Sequence, residues 1–162
     1  MDIIASLNAE WKQELAFTRT LLERVPEDFT WKPHAKSMTL GRLATHVAEI
    51  PGLMTITLTR AELDFAEPGR LTTCSNTREL LSRFDASAAA STAALENARE
   101  IQLDEKWTLR DRDQVYFTLP KSKVLRSFVF SHLIHHRAQL GVYLRILDIS
   151  IPATYGPSAD EQ

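Results

Sequence analysis

The sequence lacks several features that would assign its 162 residues to a common class of protein. Its single cysteine, Cys74, excludes a disulfide within the chain and fits a reducing compartment. No apolar run approaches the roughly 20 residues that cross a bilayer, and the acidic N-terminal segment has no signal-peptide pattern. The 19 basic and 21 acidic residues are mixed, so no basic patch marks a nucleic-acid surface. We therefore expect a cytoplasmic protein with no membrane span and no nucleic-acid partner.

Motifs of several catalytic classes are also absent. The chain has no glycine-rich phosphate loop and no nucleophile elbow. His132 is followed by Leu133 rather than by glutamate, which excludes the metalloprotease helix. Di-iron bundles need Glu-x-x-His on two helices, whereas this chain has only His46 and Glu49, in reverse order on one predicted helix.

Four segments carry the apolar spacing of amphipathic helices. We predict the first from Asp2 to Arg24, and the second from Ser37 or Thr39 to Asp64, with a kink or break at Pro51. The third is predicted from Asn76 to Glu100, where Asn76 acts as the N-cap and Glu79 reaches back, and the fourth from Ser122 to Leu147. This length and pattern predict one domain over residues 1–162, folded as an all-α four-helix bundle.

A short β-hairpin is expected before the last helix, between Lys106 and Leu119. Two β-prone segments, 107–109 and 115–118, flank the polar residues 110–114. The long connections leave room for a crossover, so the order of the helices in space stays open.

The stretch from Ser131 to Leu140 is the most informative part of the chain. It places His132 and His136 four residues apart, a spacing that puts two helical side chains on one face with Cβ atoms about 5–6 Å apart. Both histidines lie on the apolar stripe of the fourth helix, which comprises Leu125, Val129, Leu140, Tyr143 and Leu147. An unpartnered buried polar group costs about 1–3 kcal/mol, so these rings need partners. One metal ion would satisfy both.

A third ligand would have to come from a neighbouring helix, and His46 is the best candidate. It borders the inner face of the second helix, beside Leu43 and Val47, and ligands from facing helices meet in the core of a bundle. Three neutral histidines, each about 2.0–2.1 Å from the ion, leave a coordination position for water or substrate. The residues alone leave another interpretation open, in which the rings are hydrogen-bonded and bind no metal.

Three segments together resemble the DinB family, including its YfiT-like metal-dependent enzymes. They are SMTLGRLATHVAEIP around His46, HLIHHRAQLGVYLRIL in the fourth helix, and the tail IPATYGPSAD. The element WKPH at 31–34, before the second helix, also fits. These segments occur in order across nearly the whole chain.

The resemblance implies a four-helix bundle, commonly a homodimer, with one divalent metal held by His46, His132 and His136. The resemblance favours zinc or nickel, with iron or manganese as alternatives. Three imidazoles suit several first-row ions, so the ligand type alone does not choose among them. Some members of the family use low-molecular-weight thiols as cosubstrates. The resemblance therefore implies a small-molecule substrate, with such a thiol as one candidate.

Two functions remain open at this stage. The leading hypothesis is a metal-dependent transferase or hydrolase, in which the ion acts as a Lewis acid. The alternative is a non-catalytic metal-binding or structural dimer in a stress response. A substrate-sized cleft beside the histidines would favour catalysis, and a sealed core would favour the structural function.

Glu49 is the candidate catalytic residue. It lies one turn after His46 and could orient an imidazole or accept a proton. His135 lies about 100° around the helix from His136, so we expect it to flank the cluster rather than bind the metal. The loop residue His34 is a weaker candidate for the metal end.

The remaining marked residues have predicted structural roles. Arg137 and Gln139 belong to the resemblance, but helical geometry points both away from the ligand face, which predicts packing or interface roles. We expect Cys74 to be unactivated. Core or interface positions are predicted for the three tryptophans, Trp11, Trp31 and Trp107.

Overall fold

A computed structural model describes residues 2–67 and 72–161, which are mostly helical with one small sheet. The helices are α1 (Ile3–Leu22), α2 (Leu40–Glu49), α3 (Pro51–Thr59), α4 (Thr77–Glu96), α5 (Lys121–Val124) and α6 (Ser131–Ile146). The strands are β1 (Glu62–Asp64), β2 (Lys106–Asp111) and β3 (Gln114–Pro120). None of the helices in these ranges is long and apolar enough to cross a membrane.

The first helix begins where the sequence predicts. The Asp2 side chain accepts a hydrogen bond from the backbone N–H of Ala5 at 3.0 Å, which satisfies one of the free donors of the first turn. The buried face of α1 includes Trp11, Leu15 and Leu22. Its prediction is confirmed to within two residues at the C-terminal end.

The predicted break at Pro51 is confirmed. Thr39 caps α2 through its hydroxyl, and α2 ends at Glu49. Pro51 then occupies the first position of α3, where its missing N–H costs nothing. The break leaves His46 in the last turn of α2.

The predicted C-terminal end of this segment is wrong. The helix ends at Thr59 rather than Asp64, because Glu62–Asp64 forms β1, which pairs in parallel with β2. The third predicted helix also ends early, at Glu96, and Glu100–Asp104 forms a separate 3-10 helix. Its start is confirmed, since Asn76 accepts from the Glu79 N–H at 2.9 Å.

The predicted hairpin is confirmed and belongs to a three-stranded sheet in the order β1-β2-β3. Strands β2 and β3 are antiparallel, with Trp107 opposite Leu119. The turn contains Arg112 at a φ of 52°. A second, smaller core of Trp107, Leu109 and Val124 lies under the sheet, and Phe128 packs against it.

The last helical segment runs from Lys121 to Ile146, as predicted from Ser122, but it is not uniform. Leu125–Phe130 adopts π-helical geometry between α5 and α6. Helix α6 then packs beside α2 and against α1. This packing turns the histidine face of α6 toward the last turn of α2.

Candidate metal centre

Three histidines from two helices converge at one point. His46 comes from α2, and His132 and His136 come from α6. Their ring centroids are 4.6–4.9 Å apart in all three pairs, and one ring nitrogen from each lies within 4.8 Å of the others. We call these three residues the histidine cluster. The structure thus brings together the three residues that the sequence suggested as ligands.

The separation of the nitrogens fits a shared metal ion. Nε2 of His46 and Nε2 of His132 are 3.1 Å apart. Two nitrogens bound to one ion at 2.0–2.1 Å, with bond angles of about 90–110°, would be about 2.9–3.4 Å apart. The separation of these two nitrogens is therefore that expected of two ligands of one ion.

The cluster also favours the neutral imidazoles that a metal requires. Burial, followed by the positive charge that His132 and His136 would carry, lowers the pKa of His46 to about 4. Burial is the main cause that lowers the pKa of His132 and of His136 as well. Lowered pKa values favour the neutral form of all three rings at neutral pH, in which one ring nitrogen carries the proton and the other has a lone pair for coordination.

Gln139 orients one ring of the cluster. Nδ1 of His136 lies 2.7 Å from Oε1 of Gln139, an amide oxygen that can only accept a hydrogen bond. The proton of His136 is thereby placed on Nδ1, and Nε2 keeps a free lone pair. The prediction that Gln139 points away from the ligand face is wrong, because residues three apart on a helix are neighbours.

The ring of His132 is held in place mainly by packing against Phe128. The two rings are stacked, with centroids 5.6 Å apart and an interplanar angle of 28°. Nδ1 is buried and has no hydrogen bond among the described residues, although the Phe128 carbonyl interacts with the ring and raises its pKa. Phe128 lies in the π-helical segment, a feature that often occurs at functional sites.

A cavity of about 630 Å³ lies on the α2 side of the cluster. His46 and Glu49 belong to its wall, together with the apolar side chains of Ile50, Leu53, Ile56, Leu63 and Phe65. A smaller cavity of about 300 Å³ lies against His132 and His135. The histidine cluster is therefore bordered by space of substrate size rather than sealed in the core.

The carboxylate of Glu49 lies in the wall of the larger cavity. Its Oε1 is 3.1 Å from Nη1 of Arg83, and its Oε2 is 3.8 Å from Nη1 of Arg42. Arg83 also donates to Glu79 at 3.0 Å, which fixes the guanidinium. The sequence did not indicate the Arg83 interaction, because it depends on how α2 packs against α4, whereas Arg42 and Glu49 both lie on α2.

The other histidines stay outside the cluster. His34 is exposed, and its Nδ1 accepts a hydrogen bond from the N–H of Lys36 at 3.1 Å. His135 is exposed, and its ring centroid lies 4.8 Å from that of His136, the flanking position expected from the helical geometry.

Arg137 has the packing role that the sequence predicted. It is buried, and its Nη1 lies 2.7 Å from the carboxylate of Glu14 on α1. Trp11 and Trp107 are fully buried, Trp31 packs against the core, and Cys74 is buried with a pKa raised by desolvation.

Comparisons with known proteins identify relatives of this chain. The uncharacterized protein YrdA of Bacillus subtilis (strain 168) is 26% identical over 152 residues, which are 93% of this chain and 87% of YrdA. The crystal structure of a DinB-like protein, YjoA, from Bacillus subtilis matches with a TM-score of 0.71 and 21% identity, over 97% of this chain and 98% of that one. A DinB-like protein from Bacillus cereus ATCC 10987 matches with a TM-score of 0.68 and 19% identity, over 91% and 94%.

The two crystal structures support the fold. The sequence profile of the DinB family matches residues 4–162, nearly the whole chain. The protein therefore belongs to the DinB family.

Proposed function

We propose that this protein is a metal-dependent enzyme whose divalent ion is bound by His46, His132 and His136. The observation that carries the proposal is the convergence of three neutral imidazoles from two helices at the edge of a cavity. We further propose that residues 1–162 form a single four-helix-bundle domain that acts in the cytoplasm. The small sheet is an addition to that bundle.

We propose zinc or nickel as the bound ion, from the resemblance to the family. Three imidazoles suit several first-row divalent ions, so iron and manganese are alternatives. Closed structural zinc sites have four protein ligands and often include cysteine. The only cysteine, Cys74, is buried and hydrogen-bonded through its N–H to Thr45, apart from the cluster. Three ligands therefore leave at least one position for an exogenous group.

The chemistry of the proposed reaction is transfer to or from a small thiol, or hydrolysis. A bound divalent ion supplies a Lewis acid that lowers the pKa of a coordinated thiol or water. Gln139 holds the proton of His136 on Nδ1, which keeps Nε2 of that ring free. The ring of His132 is kept in place by its stacking on Phe128.

Glu49 is the proposed proton acceptor for the substrate. Its side chain is 24% exposed and lies in the wall of the cavity that also includes His46. Arg83 donates to Oε1 at 3.1 Å, so the carboxylate is held on the cavity side of α2. Among the described residues, the contact of Oε2 is with Arg42 at 3.8 Å, beyond hydrogen-bonding distance, so this oxygen can accept a proton.

A cavity of about 630 Å³ supports catalysis over a purely structural metal site, because it is large enough for a small-molecule substrate. The partner proposed for this space is a low-molecular-weight thiol or a compound that reacts with one. We also propose a homodimer, from the resemblance to the family. Light scattering of the purified protein would test the dimer independently of the metal.

The metal site is tested by elemental analysis of the untagged protein by inductively coupled plasma mass spectrometry. We expect about one zinc or nickel per chain in the wild type, and a loss of most of it in His136→Ala. His135→Ala is the matched control, because His135 is the adjacent residue on the same helix but lies outside the cluster. It should keep the metal.

Two results would contradict the proposal. One is no bound metal in the wild type, even after incubation with divalent ions, which would leave a hydrogen-bonded histidine cluster. The other is equal metal content in all three proteins. A metal that is retained but binds no added small ligand would instead support the non-catalytic, structural function.

A further inference from the structure

The cavity beside the histidine cluster has an unusual distribution of charge. Its wall includes two arginines and three acidic residues, which are Arg42, Arg60, Glu49, Asp64 and Glu67. Such a mixed wall would normally be explained by internal ion pairs. A ligand can pair with a charged side chain of this wall that has no close partner of opposite charge.

Each acid in the wall has an arginine close to it. These pairs are Glu49 with Arg83 at 3.1 Å, Asp64 with Arg110 at 2.9 Å, and Glu67 with Arg60 at 3.2 Å. All three distances are short enough for charge-assisted hydrogen bonds. Each acid of the wall thus has one carboxylate oxygen engaged by an arginine.

Arg42 is different. Its nearest carboxylate oxygen, Oε2 of Glu49, is 3.8 Å away, which is beyond hydrogen-bonding distance. Within residues 2–67 and 72–161 its guanidinium makes no hydrogen bond, and its side chain is 47% exposed. A planar group with five N–H donors is therefore open to the cavity.

The position of Arg42 relates these donors to the cluster. Arg42 precedes His46 by four residues on α2, so the two side chains share one helix face with Cβ atoms about 5–6 Å apart. Its positive charge also lowers the pKa of His46 and of His136, so its field reaches two rings of the cluster. A ligand that touches both Arg42 and the metal position can therefore be small.

We propose that Arg42 binds a carboxylate of the substrate, and that the substrate is a small organic acid whose thiol faces the histidine cluster. This inference rests on the proposed function. A guanidinium can bind a carboxylate through two parallel N–H···O bonds. The apolar side chains of Leu53 and Ile56 line the same cavity and suit the carbon chain between the two groups.

The test uses cobalt(II) as the metal and two thiols of the same length. The probes are 3-mercaptopropionate and its neutral analogue, 3-mercaptopropionamide. Each is titrated into the cobalt-loaded protein at one pH, and binding is followed by the near-ultraviolet sulfur-to-cobalt charge-transfer band. Wild type, Arg42→Gln and Arg60→Gln are compared, after the cobalt content of each has been measured.

We expect the wild type to bind the acid roughly tenfold more tightly than the amide, the effect of one charge-assisted interaction at a partly exposed site. Arg42→Gln should abolish this preference without loss of cobalt. Arg60→Gln should keep it, because Arg60 is already paired with Glu67. Since Arg42 is half-exposed and makes no hydrogen bond through its side chain, its replacement should not impair folding.

The inference would be overturned by three results: no preference for the acid in the wild type, a preference that survives in Arg42→Gln, or no thiol band with either probe. Loss of the preference in Arg60→Gln alone would also contradict it. A protein that holds no cobalt overturns the proposed function itself, and this inference with it. Cobalt content thus separates the two failures.

Discussion

Replacing Arg137 by leucine should lower the free energy of unfolding by about 3–5 kcal/mol, the usual cost of breaking a buried ion pair. Arg137 and Glu14 have side-chain exposures of only 4% and 5%. The guanidinium lies 2.7 Å from the carboxylate, and it also donates to the Glu14 carbonyl at 3.1 Å and to the Thr18 hydroxyl at 3.2 Å. The variant would leave the Glu14 charge buried without its counter-ion.

Tyr155, in the C-terminal tail, contacts both residues of this ion pair. The hydroxyl of Tyr155 accepts from Nη2 of Arg137 at 2.6 Å and donates to the Glu14 carboxylate at 2.8 Å. In Arg137→Leu this hydroxyl still bonds to Glu14, so part of the carboxylate's solvation remains. This places the expected cost near 3 kcal/mol rather than 5 kcal/mol.

The double variant Glu14→Leu/Arg137→Leu makes the reasoning testable. With both charges removed, no group is left buried and unpaired, so the double variant should be at least as stable as Arg137→Leu alone. Urea unfolding followed by far-ultraviolet circular dichroism gives all the free energies. Two results would refute this explanation. One is a loss of less than about 1 kcal/mol of unfolding free energy in Arg137→Leu, and the other is a loss in the double variant that equals the sum of the losses in Glu14→Leu and Arg137→Leu.

Three further predictions concern the cluster and its support. The unfolding free energy of the metal-free protein should fall as the pH drops from 7 toward 5, by about 1 kcal/mol from His46 after its partial exposure is allowed for, because its pKa is about 4 in the folded state against 6.5 unfolded. Urea unfolding of chelator-treated wild type and His46→Gln at several pH values checks this, and an equal dependence of the unfolding free energy on pH in the two proteins would contradict it. Gln139→Leu should weaken metal binding about tenfold in a chelator competition with little change in stability, whereas an unchanged affinity would remove Gln139 from the site. Gly41→Ala should cost about 1–2 kcal/mol, because its Cβ would lie 2.7 Å from Cβ of Phe29, while Gly52→Ala, with open space around it, should not destabilise in the same urea assay.

Features that depend on short sequence separation could be predicted. Pro51 cannot continue a helix, and Asp2 and Asn76 cap helices, so these boundaries follow from local chemistry. The His132–His136 pair is likewise a matter of helical spacing. Strands β2 and β3 are joined by a short turn, so this hairpin could also be predicted.

Features that depend on distant pairing could not. Glu62–Asp64 follows the apolar stripe of the preceding helix without a local stop signal, and it forms a strand because β2, more than 40 residues later, offers a parallel partner. The π-helical geometry of Leu125–Phe130 has no signal in the residue types. The π-helical segment contains Phe128, and Leu63 and Asp64 of β1 belong to the wall of the cavity. The surroundings of the site therefore could not be predicted from the sequence.

Within the site, the sequence suggested the three histidines more clearly than their supports. His46 could be chosen because it borders the inner face of α2, but its pairing with α6 is a result of packing. The contact of Gln139 with His136 does have a signal in the sequence, because residues three apart on a helix are neighbours. The contact of Arg83 with Glu49 depends on the packing of α4 against α2 and had no signal in the sequence, whereas Arg42 lies four residues before His46 on the same helix.

The most direct test of the central claim is X-ray absorption fine structure at the metal edge of the zinc- or nickel-loaded protein. The account predicts three imidazole nitrogens in the first shell, at about 2.0–2.1 Å for zinc, with at least one exogenous light atom that a small thiol replaces with sulfur. His136→Ala should lose one imidazole or the metal. A shell filled by four protein ligands, or one that no added thiol changes, would contradict a reactive three-histidine centre.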